Sequence, residues 1–180
     1  MSTRCQIMFE SKYFQDGEIV RTEIAQTYRH SDGYPKGVVP DLKKMYDLLE
    51  RTGSSRGASY SAASFIFLDK LGTFDRLYFN SDDERRKIDS LDPEDWDVDQ
   101  PFFLLGHGVE DPRAGIHGDE EFLYKIVEEV KEGGREMTLK ISNDFPTWDD
   151  EDTDVAFEKA NWRFEGTLEE AMEAVFDDEE

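Results

Sequence analysis

Apolar and β-branched positions recur along Thr3–Glu10 and again along Glu18–His30, the pattern of two strands. Phe14-Gln15-Asp16-Gly17 joins them, and Asp-Gly between two such runs predicts a hairpin. Ser31-Asp32-Gly33-Tyr34-Pro35-Lys36-Gly37 follows as a structured loop, because its glycines permit positive φ and Pro35 holds Tyr34 extended. The period then changes. Val38, Leu42, Met45, Tyr46 and Leu49 recur at helical spacing, with Pro40 near the first turn and Gly53 beyond the end. A second helix is predicted from Ala58 to Leu71, stopping at Gly72, and its broad apolar surface suggests a central, buried position.

Residues 81–100 show neither period and carry many acids, so they read as an exposed acidic connection within one domain. Beyond it, Phe102–Leu105 predicts a short strand. Phe122, Tyr124 and Ile126 predict a longer one that turns at Lys131-Glu132-Gly133-Gly134 into Met137, Leu139 and Ile141. Val155–Phe164 offers a further strand. Thr167-Leu168-Glu169-Glu170 has the pattern of a capping box and predicts a short terminal helix through Phe176, with residues 177–180 as a frayed acidic tail. The expected fold is α+β: a largely antiparallel sheet of five or six strands, two main helices on one face, and a short C-terminal helix. Strands and helices do not alternate regularly, which argues against a doubly wound parallel sheet. Residues 1–180 fit a single domain.

Composition adds a polarity to this picture. Apolar residues make up 37% of the chain, enough to build a core despite 36% charged residues. Residues 1–90 hold 14 acids and 14 bases, whereas residues 91–180 hold 29 and 7, so the whole net charge of −22 lies in the second half. Ten lysines against 43 acids suit a halophilic host, but salt adaptation would acidify the entire surface, and the first half is neutral. The alternative is an acidic half that docks on a basic partner. Direct nucleic-acid binding is disfavoured, since Arg85-Arg86-Lys87, the sole basic triplet, directly follows Asp82-Asp83-Glu84. A single cysteine, Cys5, rules out an intramolecular disulfide and reads as a small core residue. With no secretory leader pattern and no apolar run of membrane-spanning length, the expectation is a cytoplasmic protein that does not enter the membrane.

Candidate chemistry gathers at the three histidines, in Arg29-His30-Ser31-Asp32-Gly33, Gly106-His107-Gly108 and Ile116-His117-Gly118-Asp119. The two His-x-Asp pairs place imidazole and carboxylate on one side of an extended backbone. That makes His30, Asp32, His107, His117 and Asp119 the candidate ligands for Zn²⁺, Mn²⁺ or Fe²⁺. A His–Asp pair also suits a general base, but no nucleophile motif or phosphate-cradling loop accompanies it. Ser2, exposed if Met1 is removed, offers an N-terminal nucleophile. Arg4 on the first strand is brought by the hairpin towards His30 and Asp32. There a guanidinium–carboxylate pair would clasp the loop, or Arg4, His30, Asp32 and Tyr34 would form a small ligand pocket.

Thr3-Arg4-Cys5, followed by Tyr28-Arg29-His30-Ser31-Asp32-Gly33-Tyr34-Pro35-Lys36-Gly37 and Pro40-Asp41-Leu42, resembles a group of small uncharacterised proteins from phages, bacteria and archaea. That group shares an initial Thr-Arg strand and a His-x-Asp-Gly-Tyr-Pro loop before a helix. Ile116-His117-Gly118-Asp119-Glu120-Glu121-Phe122-Leu123-Tyr124 resembles a later segment of some members. The resemblance covers about the first 45 residues and that patch. It implies a shared fold, a common loop site and an accessory role in a virus, provirus or archaeon, and transfers no catalytic residue. The expected function is thus a non-catalytic acidic interaction protein. The alternatives are a metal-assisted hydrolase at the His-x-Asp loops and a small-ligand-binding module. The cofactor is unknown.

Overall fold

A computed structural model of the chain describes residues 3–80, 82–83, 87, 90, 92–95, 106–116, 119–146 and 155–174. Strand β1 (Cys5–Gln15) pairs antiparallel with β2 (Glu18–Arg29) through the turn at Asp16-Gly17, where Asp16 and Gly17 both have positive φ. Helices α1 (Pro35–Thr52) and α2 (Ala58–Phe74) follow, and then β3 (His107–Glu110), β4 (Phe122–Lys131) and β5 (Gly134–Ser142). The chain closes with α3 (Ala156–Lys159), β6 (Phe164–Gly166) and α4 (Leu168–Glu173). The six strands form one sheet in the order β3-β2-β1-β4-β5-β6, antiparallel throughout except for the central pair β1–β4, which is parallel. The protein is therefore α+β, with two main helices and a short C-terminal one.

Strand β1 explains why the layers are arranged so. Its residues Cys5, Ile7 and Phe9 face α1 and α2. There they join Val38, Leu42 and Met45 of α1, Phe65 of α2, Tyr124 and Ile126 of β4, and Leu139 and Ile141 of β5. The intervening Met8 faces the other side and packs with Ile116, Leu123, Ala156, Phe157 and Ala160. Both faces of the central strand are thus covered, and even Gln6 is fully buried. Gln6 and Gln26 offset part of the cost of burying an amide by both donating Nε2–H to the carbonyl of Gly115, at 3.3 and 2.8 Å, while Gln26 Oε1 has no partner among the described residues.

Four sequence expectations shift. Helix α1 begins at Pro35, because proline at the first helical position has a preset φ and no N–H to satisfy; Ser31–Tyr34 is all that remains of the loop. Helix α2 runs past Gly72 to Phe74 and into a wide helical turn at Asp75–Phe79, where Phe74 stacks on Tyr78 and Phe79. It is also covered on one side only, since Tyr60, Phe67 and Leu71 are exposed. The strand expected over Val155–Phe164 is replaced by α3, whose Ala156, Phe157 and Ala160 meet the outer sheet face at helical spacing, and only Phe164–Gly166 extends as β6. The capping box forms as expected: Thr167 Oγ1 accepts from Glu170 N at 3.1 Å and Glu170 Oε2 accepts from Thr167 N at 2.7 Å. The expected strand Phe102–Leu105 and the tail 177–180 lie outside the described residues, as does most of 81–100. No helix among the described residues is long and apolar enough to cross a membrane.

One hydrogen bond ties the sheet to the loop that leads to the site. Tyr124, fully buried on β4, donates its hydroxyl to the carbonyl of Gly33 at 2.7 Å. Tyr124→Phe should cost about 1–2 kcal/mol in a urea titration, because the carbonyl loses its donor in a place water does not reach. A loss within error would show that the loop's other bonds, among them Gly33 N to Thr3 O and Arg29 Nε to Ser31 O, hold it without this one.

Candidate functional site

The site is built where β2 ends beside the edge strand. Arg29 on β2 and His107 on β3 are cross-strand partners, so the pleat sends both side chains to the helix-covered face. Arg29 there is buried and meets one carboxylate from each helix. Its Nη1 donates to Asp41 Oδ2 of α1 at 2.9 Å, and its Nε lies 3.3 Å from Asp69 Oδ2 of α2. The same Nε donates to the carbonyl of Ser31 at 2.9 Å, which fixes the start of the loop. Asp69 Oδ2 also contacts Nε2 of His107, and that contact assigns the ring proton to Nε2. Nδ1 of His107 is buried with no hydrogen-bond partner among the described residues.

Electrostatics follow from this geometry. Burial pushes the Asp69 carboxyl up, but the His107 hydrogen bond and the Arg29 charge outweigh it and leave the group below the ordinary aspartate range. Asp41 is displaced the other way: burial raises it, Asp69 adds repulsion, and Arg29 only partly compensates. Burial also lowers the Lys70 ammonium.

Above this network lies a cavity of about 630 Å³, within the range of small-molecule sites. Phe65 and Leu68 give it apolar wall, and Lys44, Lys70 and Arg76 bring cations to its rim. Lys44 and Arg76 are exposed and make no hydrogen bond or close ion pair among the described residues, although Lys44 helps to lower the Asp41 carboxyl and Arg76 that of Asp69. Asp41 and Asp69, in contrast, are committed to Arg29 and His107.

The residues expected from the sequence divide among three places. His30, Asp32 and His107 line the cavity. Arg4 reaches His30 but not Asp32: its Nε donates to His30 Nδ1 at 3.3 Å, and its Nη1 pairs with Asp119. Tyr28 Oη stands 2.9 Å from the same His30 nitrogen, so two groups converge on Nδ1. The clasp therefore runs Asp119–Arg4–His30–Tyr28, while Asp32 stays exposed with a positive φ of 55°. Tyr34 is not part of the cavity wall; it packs against the main core just ahead of α1. Among the described residues no three His, Cys, Asp or Glu side chains are placed to hold a metal ion. His117 lies outside the described residues, as do Ser2 and the acidic run Asp149-Asp150-Glu151-Asp152. Cys5 is a core residue, and burial drives its thiol pKa strongly upward.

Arg29, Asp41, Lys44, Asp69 and Arg76 were not among the sequence candidates. Two signals pointed to part of the set. Arg29 shares its strand face with Thr27 and Ala25, where the alternation calls for a buried residue. Asp69 is the sole acid within the apolar run Ala58–Leu71. No protein-family model, curated protein or solved structure matches this chain.

Proposed function

We propose that this protein is a small-ligand-binding module whose ligand is an anion carrying a carboxylate or phosphate group, held in the cavity between α1, α2 and the β2–β3 edge. The observation that carries this reading is the state of the charges around the cavity. In a chain where acids outnumber bases 43 to 21, Lys44 and Arg76 face an open cavity without a close ion-pair partner among the described residues. The buried acids beside them, Asp41 and Asp69, are already engaged, both by Arg29 and Asp69 also by the His107 ring. Such a rim attracts an anion, while Phe65 and Leu68 offer surface to the apolar body of a ligand. The cavity also belongs to the charge-balanced part of the chain: all its lining residues except Gly106 and His107 precede residue 77. The neutrality of residues 1–90 thus has a local use, since it keeps cations at this rim.

Inorganic phosphate and succinate serve as probes. Either one should raise the melting temperature of the full chain, because a ligand that binds only the folded state stabilises it by mass action. In calorimetric titration, K44A/R76A should weaken the binding about tenfold or more, as expected for losing two charge-assisted contacts. Failure of both probes to bind, or equal affinity for wild type and variant, would overturn the reading. Docking of the acidic half on a basic partner remains a separate proposal from charge composition alone.

A further inference from the structure

Strand β2 is much longer than its outer neighbour. Strand β3 pairs only with Gln26–Arg29, so among the described residues the outer edge of Glu18–Ala25 has no partner strand. An unpaired edge of this length is a template for another strand, and proteins usually shorten, charge or cover such edges. Here the edge carries exposed apolar residues, with Val20 59% and Ile24 47% exposed. Its two central charges, Arg21 and Glu23, flank Thr22 and contact each other, and both also meet Tyr13, which donates its hydroxyl to Glu23 at 3.3 Å and lies under the Arg21 guanidinium.

The order of these residues is self-complementary. In an antiparallel pair of identical strands related by a two-fold axis through Thr22, Arg21 stands opposite Glu23 of the second copy and Glu23 opposite its Arg21. Val20 and Ile24 then stand opposite Ile24 and Val20. The pairs of the regular run are favourable, two unlike-charge pairs and Thr against Thr, and Val20, at a bulge, lies beside Ile24 at each end. Neighbouring registers are poorer. An axis through Arg21 or Glu23 sets like charges face to face. An axis between Arg21 and Thr22 puts Glu23 against Val20, and one between Thr22 and Glu23 puts Arg21 against Ile24. A two-fold interface of this kind is closed and isologous.

We propose that the protein self-associates through this edge, forming a two-fold dimer in which the sheets of two copies join at β2 with Thr22 on the axis. The register between β1 and β2 slips at Tyr13/Phe14, leaving Val20 as the extra residue of a bulge, so the regular run available for pairing is short. One short strand pair buries less than a standard interface, and the net charge of −22 on each copy opposes approach. The dimer is accordingly weak and concentration-dependent.

Sedimentation velocity of the full chain, run from low concentration up to the millimolar range, tests this. Wild type should shift reversibly from monomer to dimer. R21E and E23R should each raise the dimer Kd by about tenfold or more, because each turns two attractive pairs into two repulsive ones. An equimolar mixture of the two variants should associate again, since R21E presents an acid on each side of Thr22 and E23R presents a base on each side. A wild type that stays monomeric throughout, single variants that associate as well as wild type, or a mixture that does not recover would each overturn the proposal.

Discussion

Asp69→Ala should destabilise the fold by about 3–5 kcal/mol in urea titration, the range for breaking a buried ion pair from one side. The carboxylate is only 11% exposed and serves two buried partners at once, so its loss leaves Asp41 as the one carboxylate on Arg29 among the described residues and takes the acceptor from His107 Nε2. Asp69→Asn keeps the volume and removes the charge, and the pH dependence of the difference from wild type isolates the electrostatic part. The sign follows from the direction of the shift. The folded carboxyl of Asp69 lies below the ordinary range, so the unfolded chain binds that proton first. The stability it contributes is therefore complete above the unfolded value, about 3.9, and is lost as pH falls through the lower folded value. Asp41 is raised and acts in the opposite sense, gaining stability on acidification; burial is the main cause of that shift and Asp69 a lesser one, so the gain is somewhat smaller in Asp69→Asn and offsets part of the change. The stability gap between wild type and Asp69→Asn should thus narrow below pH of about 4. A constant gap, or an alanine variant losing less than about 1 kcal/mol, would mean that solvent already screens the network.

Gly33→Ala should cost about 3 kcal/mol or more and weaken phosphate binding with it. A Cβ there would sit 2.7 Å from the carbonyl carbon of Arg4, 2.9 Å from the amide nitrogen of Cys5 and 2.9 Å from the carbonyl oxygen of Thr3. All three are backbone atoms at the start of β1, the strand gripped between β2 and β4, so relief requires moving the loop. The bonds from Gly33 N to Thr3 O and from Tyr124 Oη to Gly33 O would stretch, and His30 and Asp32 would leave their places at the cavity. Gly72→Ala is the matching control for stability alone, since Gly72 also lines the cavity: a Cβ there would meet nothing within 4 Å, and the variant should gain about 0.5–1 kcal/mol from helix propensity. Equal effects from the two substitutions, read by thermal melts, would show that the close approach at Gly33 is not binding on the fold.

How much of this was legible beforehand depends on the range of the interaction. The β1–β2 hairpin, α1, the β4–β5 hairpin and the capping box of α4 each follow from residues near one another in the chain. Asp16-Gly17 sets a turn, Leu42, Met45 and Leu49 mark one helical face, and Thr167 and Glu170 satisfy each other's amides. The same locality singled out His30, Asp32 and His107, which line the cavity. It misjudged Val155–Phe164, where a few apolar residues fit either period and only the outer sheet face selects the helical one.

What the sequence determined by itself, then, is the set of elements and the charge imbalance between the halves of the chain, because both depend on local spacing and composition. The tertiary structure decided the parallel pairing of β1 with β4, the choice of Asp119 over Asp32 as the partner of Arg4, and the meeting of Arg29, Asp41, Asp69 and His107. Those four residues come from four separate elements. Nothing in their spacing along the chain encodes a contact that exists only once both helices have docked on one face of the sheet and β3 has closed its edge.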